Sequence, residues 1–270
     1  MADMNKHQLS MAASAIALRG VSLFLSAGRA AAERRVAAAA VPARQKKPKP
    51  QVLGARPPQK VFDLLLKTTW FNKNELEALF TMYRKLVAAA QAIAPATAIG
   101  QQPVKVDGID QSTFRDVMHN TFDLVTEETI LERMWVTWER GTSGGEGALK
   151  FEAWVKGLSK LLRGTVEERI AHCFAVYDLN NDGCISKDEM FLLLKNSLLK
   201  QPGDEDPDEG VRELVELVLK KLDVDKDGRV SIEDYRAAVD QEPLLLEAFG
   251  QCLPTKRQAT AFLKTLNSKV

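Results

Sequence analysis

The sequence predicts an all-α protein built from repeated helix–loop–helix units. Apolar residues recur at helical spacing over most of the chain after residue 60, and β-type alternation never runs for more than a few residues. Two twelve-residue stretches, 178–189 and 223–234, are rich in aspartate and have glycine at the same position. We therefore predict four helix–loop–helix units in two lobes, 61–160 and 161–270, of which the two N-terminal units are degenerate, preceded by an extension over 1–60.

The extension differs from the rest of the chain in charge. Residues 1–60 contain 11 basic and 2 acidic residues, net +9, whereas residues 61–270 contain 26 basic and 34 acidic residues, net −8. The overall charge of +1 is thus an average of a basic arm and an acidic body. Residues 41–58 are rich in Pro and Lys and cannot bury enough apolar surface to fold, so we predict a disordered arm. The composition of 11–40, which is rich in Ala and contains Arg, leaves an organelle-targeting peptide as one alternative. A polybasic tether for an acidic surface is another alternative for the arm.

Composition argues against several classes of protein. The charge balance does not favour a nucleic-acid binder, and no run of 18 apolar residues predicts a transmembrane segment. The three cysteines lack the spacing of a zinc site or a disulfide scaffold, which indicates a cytoplasmic protein. His7, His119 and His172 are far apart, and no nucleophile or phosphate-binding motif accompanies them. We therefore do not expect an enzyme.

The first helices of the body are read from apolar spacing and from caps. Val61, Leu64 and Leu65 follow the i, i+3, i+4 pattern of one helix. A second helix begins near residue 73, with Asn72 or Asn74 as its N-cap. A third begins near residue 111, capped by Ser112 or Asp110. Three tryptophans follow on amphipathic helices, and they are either core residues or a contact surface: Trp135, Trp138 and Trp154.

Residues 178–189 (DLNNDGCISKDE) have the complete pattern of an EF-hand calcium loop. A hard cation takes six to eight oxygen ligands, and alternate residues of a compact loop direct them inward. Gly183 at position 6 permits the sharp turn, and Ile185 at position 8 is expected to pair with a partner loop. The predicted ligands are Asp178, Asn180, Asp182, Cys184 through its backbone carbonyl, Ser186 and Glu189.

Residues 223–234 repeat the pattern 45 residues further along the chain. The predicted ligands are Asp223, Asp225, Asp227, Arg229 through its backbone carbonyl, Ser231 and Asp234. Position 12 is aspartate, which is one methylene shorter than glutamate, so bidentate binding of the ion is strained. We therefore predict a weaker Ca²⁺ site that also accepts Mg²⁺. Val230 at position 8 is expected to pair with Ile185.

Two upstream stretches follow the loop pattern in outline only. Residues 107–114 repeat the end of such a loop. Residues 142–153 have Gly147 and Leu149 in the expected order, but Glu146 is the one carboxylate at a ligand position, and position 12 is Ala153. Neither stretch has enough oxygen ligands for a hard cation, so these two units are predicted to fold without metal.

The most specific similarity rests on three motifs: VYDLNNDGCISKDEMF (176–191), KNSLLKQPGDEDPDEGVRELVELVLKKLD (195–223) and LLLEAFGQCLP (244–254). With these motifs, residues 61–255 resemble the calaxin family, the EF-hand proteins of the ciliary outer dynein arm docking complex. The chain is more distantly similar to neuronal calcium sensors. The resemblance does not cover the basic arm.

The resemblance implies a Ca²⁺ sensor of the cytoplasm and the axoneme of cilia or flagella. It implies docking subunits and dynein as partners, with tubulin as a further candidate. A regulatory subunit of an enzyme such as a phosphatase, and a cytosolic calcium sensor or buffer, are alternatives. A sensor is expected to open an apolar groove when calcium binds. The residues expected to line it are Phe174, Met190, Phe191, Leu194, Val218 and Leu219.

Overall fold

A computed structural model describes residues 59–93, 108–140, 147–197 and 208–267. The predicted arm lies outside the described residues except for its last two positions. The described part forms ten α-helices and a two-stranded antiparallel sheet. The helices are α1 Gln59–Thr68, α2 Lys73–Ile93, α3 Gln111–Phe122, α4 Glu128–Arg140, α5 Phe151–Arg163, α6 Val166–Tyr177, α7 Lys187–Leu194, α8 Glu209–Leu222, α9 Ile232–Gln241 and α10 Lys256–Asn267; the strands are β1 Cys184–Ile185 and β2 Val230–Ser231.

Four helix–loop–helix units are joined in pairs by short backbone bridges, which confirms the predicted fold class. In the C-terminal pair, α6–α7 and α8–α9, Ile185 lies opposite Val230. In the N-terminal pair, α2–α3 and α4–α5, Ile109 and Leu149 exchange two backbone hydrogen bonds of 3.0 and 2.8 Å. The degenerate units therefore keep the pairing of the fold although they lack the acidic ligands. The boundary between lobes at residue 160 stays a prediction.

Helix starts follow the capping residues. Asn72 Oδ1 accepts from the Glu75 amide, and the Glu75 carboxylate accepts from the Asn72 amide, so Asn72 rather than Asn74 caps α2. Asp110 rather than Ser112 caps α3, since its Oδ1 accepts from the Thr113 amide at 2.7 Å. The same reciprocal box begins three of the four helices of the EF-hand pair, α6, α7 and α9, with residues Thr165 and Glu168, Ser186 and Glu189, and Ser231 and Asp234.

Aromatic side chains fill the core of the N-terminal half. Trp135, Trp138 and Trp154 are all buried, and the edge-on ring of Phe114 lies 5.2 Å from that of Trp138. A Cβ atom at Gly157 would come within 2.2 Å of the Trp138 indole, so only glycine leaves room for this ring. The three tryptophans are therefore core residues, not a contact surface.

The buried side of α1 differs from the predicted one. Phe62 and Leu65 are buried, whereas Leu64 is 42% exposed. The spacing alone placed Leu64 on the inner face. The face of α1 that carries Phe62 is buried instead, because the Phe62 ring packs against Phe80 and Phe151.

Two segments after the EF-hand pair extend the packing. The Tyr177 ring lies edge-on to Phe249 at 5.1 Å, and its hydroxyl donates to the carbonyl of Gly250. The last helix, α10, packs against α2, α3 and α5 of the N-terminal half, where Phe262 meets Phe122. Within the part of the chain described here, no helix is long and apolar enough to cross a membrane.

Candidate metal centre

The first loop is shaped by its own acidic side chains. Asp178 directly follows the last residue of α6, and its Oδ2 accepts from the amide of Gly183, which has a φ of +90°. Asn180 Oδ1 accepts from the Asp182 amide at 2.8 Å, and Asp182 Oδ1 accepts from the Cys184 amide at 2.9 Å. These bonds fold residues 178–184 into a compact turn that contains the first three predicted ligands.

One oxygen of this loop has no partner within the described protein. Asp178 is 6% exposed, and its Oδ1 is buried without a hydrogen bond. Burying an unpaired carboxylate oxygen is costly unless a cation or donor compensates it. A bound cation would supply that compensation, so the residues at this position fit a metal ion.

Glu189 closes the first loop from its last position. Its Oε1 accepts from the Asn180 amide at 3.0 Å, and its Oε2 accepts from the Ser186 amide at 2.8 Å and from the Ser186 hydroxyl at 2.7 Å. The side chain is 5% exposed. Glu189 therefore contacts both Asn180, near the start of the loop, and Ser186, near its end.

The second loop gathers three carboxylates. One oxygen from each of Asp223, Asp225 and Asp227 lies within 4.8 Å of the others. The hydrogen bond from the Asp227 amide lowers the pKa of Asp225, but burial and the carboxylates of Asp227, Asp234 and Asp223 outweigh it and raise the pKa overall. Mutual repulsion of this kind is relieved by a bound divalent cation.

Asp234 takes the place of Glu189 in the second loop. Its Oδ1 accepts from the Val224 amide at 3.3 Å, and its Oδ2 accepts from the Ser231 amide at 3.1 Å. The 3.3 Å bond joins Asp234 to position 2 of its loop, whereas the 3.0 Å bond of Glu189 joins it to Asn180 at position 3. The lower Ca²⁺ affinity of this site stays a prediction, based on the shorter side chain at position 12.

The two loops also share a side-chain contact that the sequence reasoning missed. Arg229 was assigned a role only through its backbone carbonyl, but its guanidinium lies 3.5 Å from Asp182 Oδ2 in the first loop. Cys184, at the same loop position, is a half-buried free thiol. Neither side chain points to additional metal chemistry, since the carbonyl is the ligand expected at this position.

Comparisons with known proteins agree with this architecture. The family described as an EF-hand domain pair matches residues 167–239. Calaxin from Xenopus laevis is 46% identical over 192 residues, which cover 71% of this chain and 86% of the relative. The chain belongs to the calaxin family. Calaxin from Homo sapiens is 44% identical over 205 residues, covering 76% of this chain and 90% of the relative. This family member is accordingly a calcium-binding EF-hand protein.

Asp234→Glu is expected to tighten Ca²⁺ binding at the second site about tenfold, or about 1.4 kcal/mol. The longer carboxylate restores bidentate reach, and the gain in Mg²⁺ affinity should be smaller because Mg²⁺ prefers octahedral, monodentate ligation. Calorimetric titration of the full chain with each metal measures both effects. Asp240→Glu, an exposed change of the same type in α9, is the control. Unchanged Ca²⁺ affinity in Asp234→Glu would show that position 12 does not limit this site.

Proposed function

We propose that this calaxin-family protein is a calcium-sensing adaptor of the ciliary or flagellar axoneme. In this proposal it binds outer dynein arm docking subunits and dynein, and calcium occupancy of 178–189 and 223–234 tunes beating. The calcium-binding part of this proposal rests on the Oδ1 of Asp178, which is buried without a hydrogen-bond partner inside a complete EF-hand loop. Family membership, at 44–46% identity over most of the relatives' length, carries the biological setting.

A sensor must change a surface that partners recognise, and the apolar groove predicted from the sequence is the candidate. In the structure Phe174, Met190, Leu194 and Leu219 are buried. Next to them, the segment after α9 is held by the bond from the Tyr235 hydroxyl to the Leu246 carbonyl. Calcium would therefore have to separate these packed elements before the groove could bind a partner helix.

Charge provides a second calcium-dependent change. Residues 61–270 carry a net charge of −8, and part of that charge lies on the predicted ligands. Each divalent ion adds two positive charges to this body. The basic arm over 1–60 is unaffected, so calcium lowers the electrostatic contrast between arm and body.

The test is calcium-dependent capture of purified docking subunits and dynein by the full-length protein, compared between calcium and chelator. We expect binding to differ between the two conditions, together with calcium-induced binding of an apolar dye. Calcium binding without dye binding or capture would instead identify a buffer. Capture of a phosphatase catalytic subunit, but not of axonemal proteins, would favour the enzyme-regulatory alternative.

A further inference from the structure

Arg133 belongs to α4, outside the EF-hand pair, yet it contacts the start of the first loop. Its Nε donates to the Val176 carbonyl at 3.4 Å. Its Nη2 lies 3.3 Å from the Ala175 carbonyl and 3.2 Å from Asn181 Oδ1, and it donates to the Asp178 carbonyl. One guanidinium thus spans the last turn of α6 and the first four positions of the loop.

The acceptors of Arg133 are groups that need a donor. The last carbonyls of a helix have no partner within the helix, and they form the negative end of its dipole. A planar guanidinium with several donors can satisfy more than one of them. Arg133 therefore fixes the direction in which the chain leaves α6, and Asp178 is the residue at that point.

The contact with Asn181 acts on a loop residue in the left-handed backbone region. Asn181 has a φ of +58°, in the left-handed region that few side chains adopt. Lys226 has the same place in the second loop and a φ of +65°. In the first loop, Arg133 donates to the side-chain oxygen of Asn181. The four acceptors of Arg133 all lie within 175–181, so none of them is in the second loop.

The positive charge of Arg133, unlike its hydrogen bonds, opposes calcium binding. It interacts with the carboxylates of Asp178 and Glu189, and like charge repels an incoming cation. At a partly exposed position in physiological salt this repulsion changes affinity by only about twofold to threefold. Several charge-assisted hydrogen bonds that hold the loop in its binding shape have the larger effect.

We propose that Arg133 is a positioning residue of the first calcium site, supplied by the half of the chain that is predicted to fold without metal. It presets the start of the loop 178–189, so the affinity of that site depends on helix α4. This inference rests on the proposed assignment of 178–189 as a calcium site. It makes the N-terminal half a part of the sensor.

The test is a calcium titration of the full-length protein by calorimetry with three variants. Arg133→Met should weaken the first site about tenfold and leave the second unchanged. Arg133→Lys keeps the charge but not the planar fork, so it should give an intermediate loss. Thr137→Val is the matched control: Thr137 Oγ1 also donates from α4 to the Ala175 carbonyl, at 3.3 Å, but it does not contact the loop.

Tryptophan emission provides a second readout. All four tryptophans precede the EF-hand pair, and Trp135 and Trp138 lie on α4 with Arg133. A calcium-induced emission change should therefore be present in the native protein and in Thr137→Val, and reduced in Arg133→Met. A residue that only stabilises the fold would lower the melting temperature without separating the two calcium sites.

Equal or tighter calcium binding at the first site in Arg133→Met would overturn the inference. It would show that Arg133 affects calcium affinity only by repelling the cation, and not by positioning the loop. If that variant does not fold, as judged by circular dichroism without calcium, Arg133→Lys decides by the same criterion. Failure of the site assignment is a different result. In that case Glu189→Gln would titrate like the native protein, whatever the Arg133 variants do.

Discussion

Glu189→Gln abolishes the tighter calcium-binding event, with an expected loss of about 100-fold or about 2.7 kcal/mol at the first site. Glu189 supplies the two carboxylate oxygens at loop position 12, and its side chain reaches both the Asn180 amide and Ser186. The amide of glutamine has one oxygen and no charge, so bidentate ligation is lost. Glutamine also serves in a capping box, so α7 should still begin at the same residue.

Calorimetry and calcium-dependent melting of the full chain measure this effect. Asp188→Asn removes the same charge from an exposed neighbour in the first turn of α7 and should bind calcium like the native protein within about twofold. Retention of the tightest site in Glu189→Gln would contradict our ranking of the two loops. It would assign the stronger binding to 223–234 despite the shorter Asp234.

Glu75→Ala is expected to cost about 3 kcal/mol of folding free energy, because it breaks a buried, hydrogen-bonded ion pair. The Glu75 side chain is 2% exposed, and its two oxygens accept from Arg163 Nη1 at 2.8 Å and Nη2 at 2.6 Å. The same carboxylate accepts from the Asn72 amide at the start of α2. The substitution therefore removes a bidentate ion pair between α2 and α5 together with half of a capping box.

Chemical denaturation at neutral pH measures the loss. Glu132→Ala, which truncates an exposed glutamate in the middle of α4, should stay within about 0.5 kcal/mol of the native protein. A Glu75→Ala variant as stable as that control would show that the ion pair and cap do not contribute net stability.

The same pair predicts how stability responds to acid. The hydrogen bonds from Arg163 hold the pKa of Glu75 below its usual value of 4.5, although burial opposes them. Because the folded pKa is the lower one, this contribution is present above pH 4.5 and disappears as pH falls through the folded pKa. The difference between native protein and Glu75→Ala should therefore shrink on acidification below pH 4.5. A constant difference down to pH 3 would indicate that charge is not its source.

The calcium loops could be predicted from the sequence because their chemistry is local. An EF-hand loop is twelve consecutive residues, so its ligand order, its glycine and its position-12 residue are all visible without tertiary contacts. The bridge between Ile185 and Val230 was predictable for the same reason, because both residues occupy position 8 of a recognised loop. Caps were only partly resolved: two candidates stood before α2 and before α3, and the hydrogen bonds selected Asn72 and Asp110.

Contacts between segments that are distant in the chain could not be predicted from the sequence. The sequence placed α10 in the C-terminal lobe by its position, and the structure shows Phe262 against Phe122. Arg133 and Asn181 are 48 residues apart, and Arg163 and Glu75 are 88 apart. No spacing rule selects one arginine among the many basic residues as the partner of a given carboxylate or carbonyl.

The sequence by itself determined the all-α class, the paired EF-hand loops and the difference between Glu189 and Asp234, because these follow from residues adjacent in the chain. Tertiary structure alone decided that the three tryptophans form a core, that Arg229 reaches Asp182, and that Arg133 in α4 holds the start of the first loop. The physical reason is that burial and long side chains join groups through space. Which groups meet is fixed only when the helices have packed.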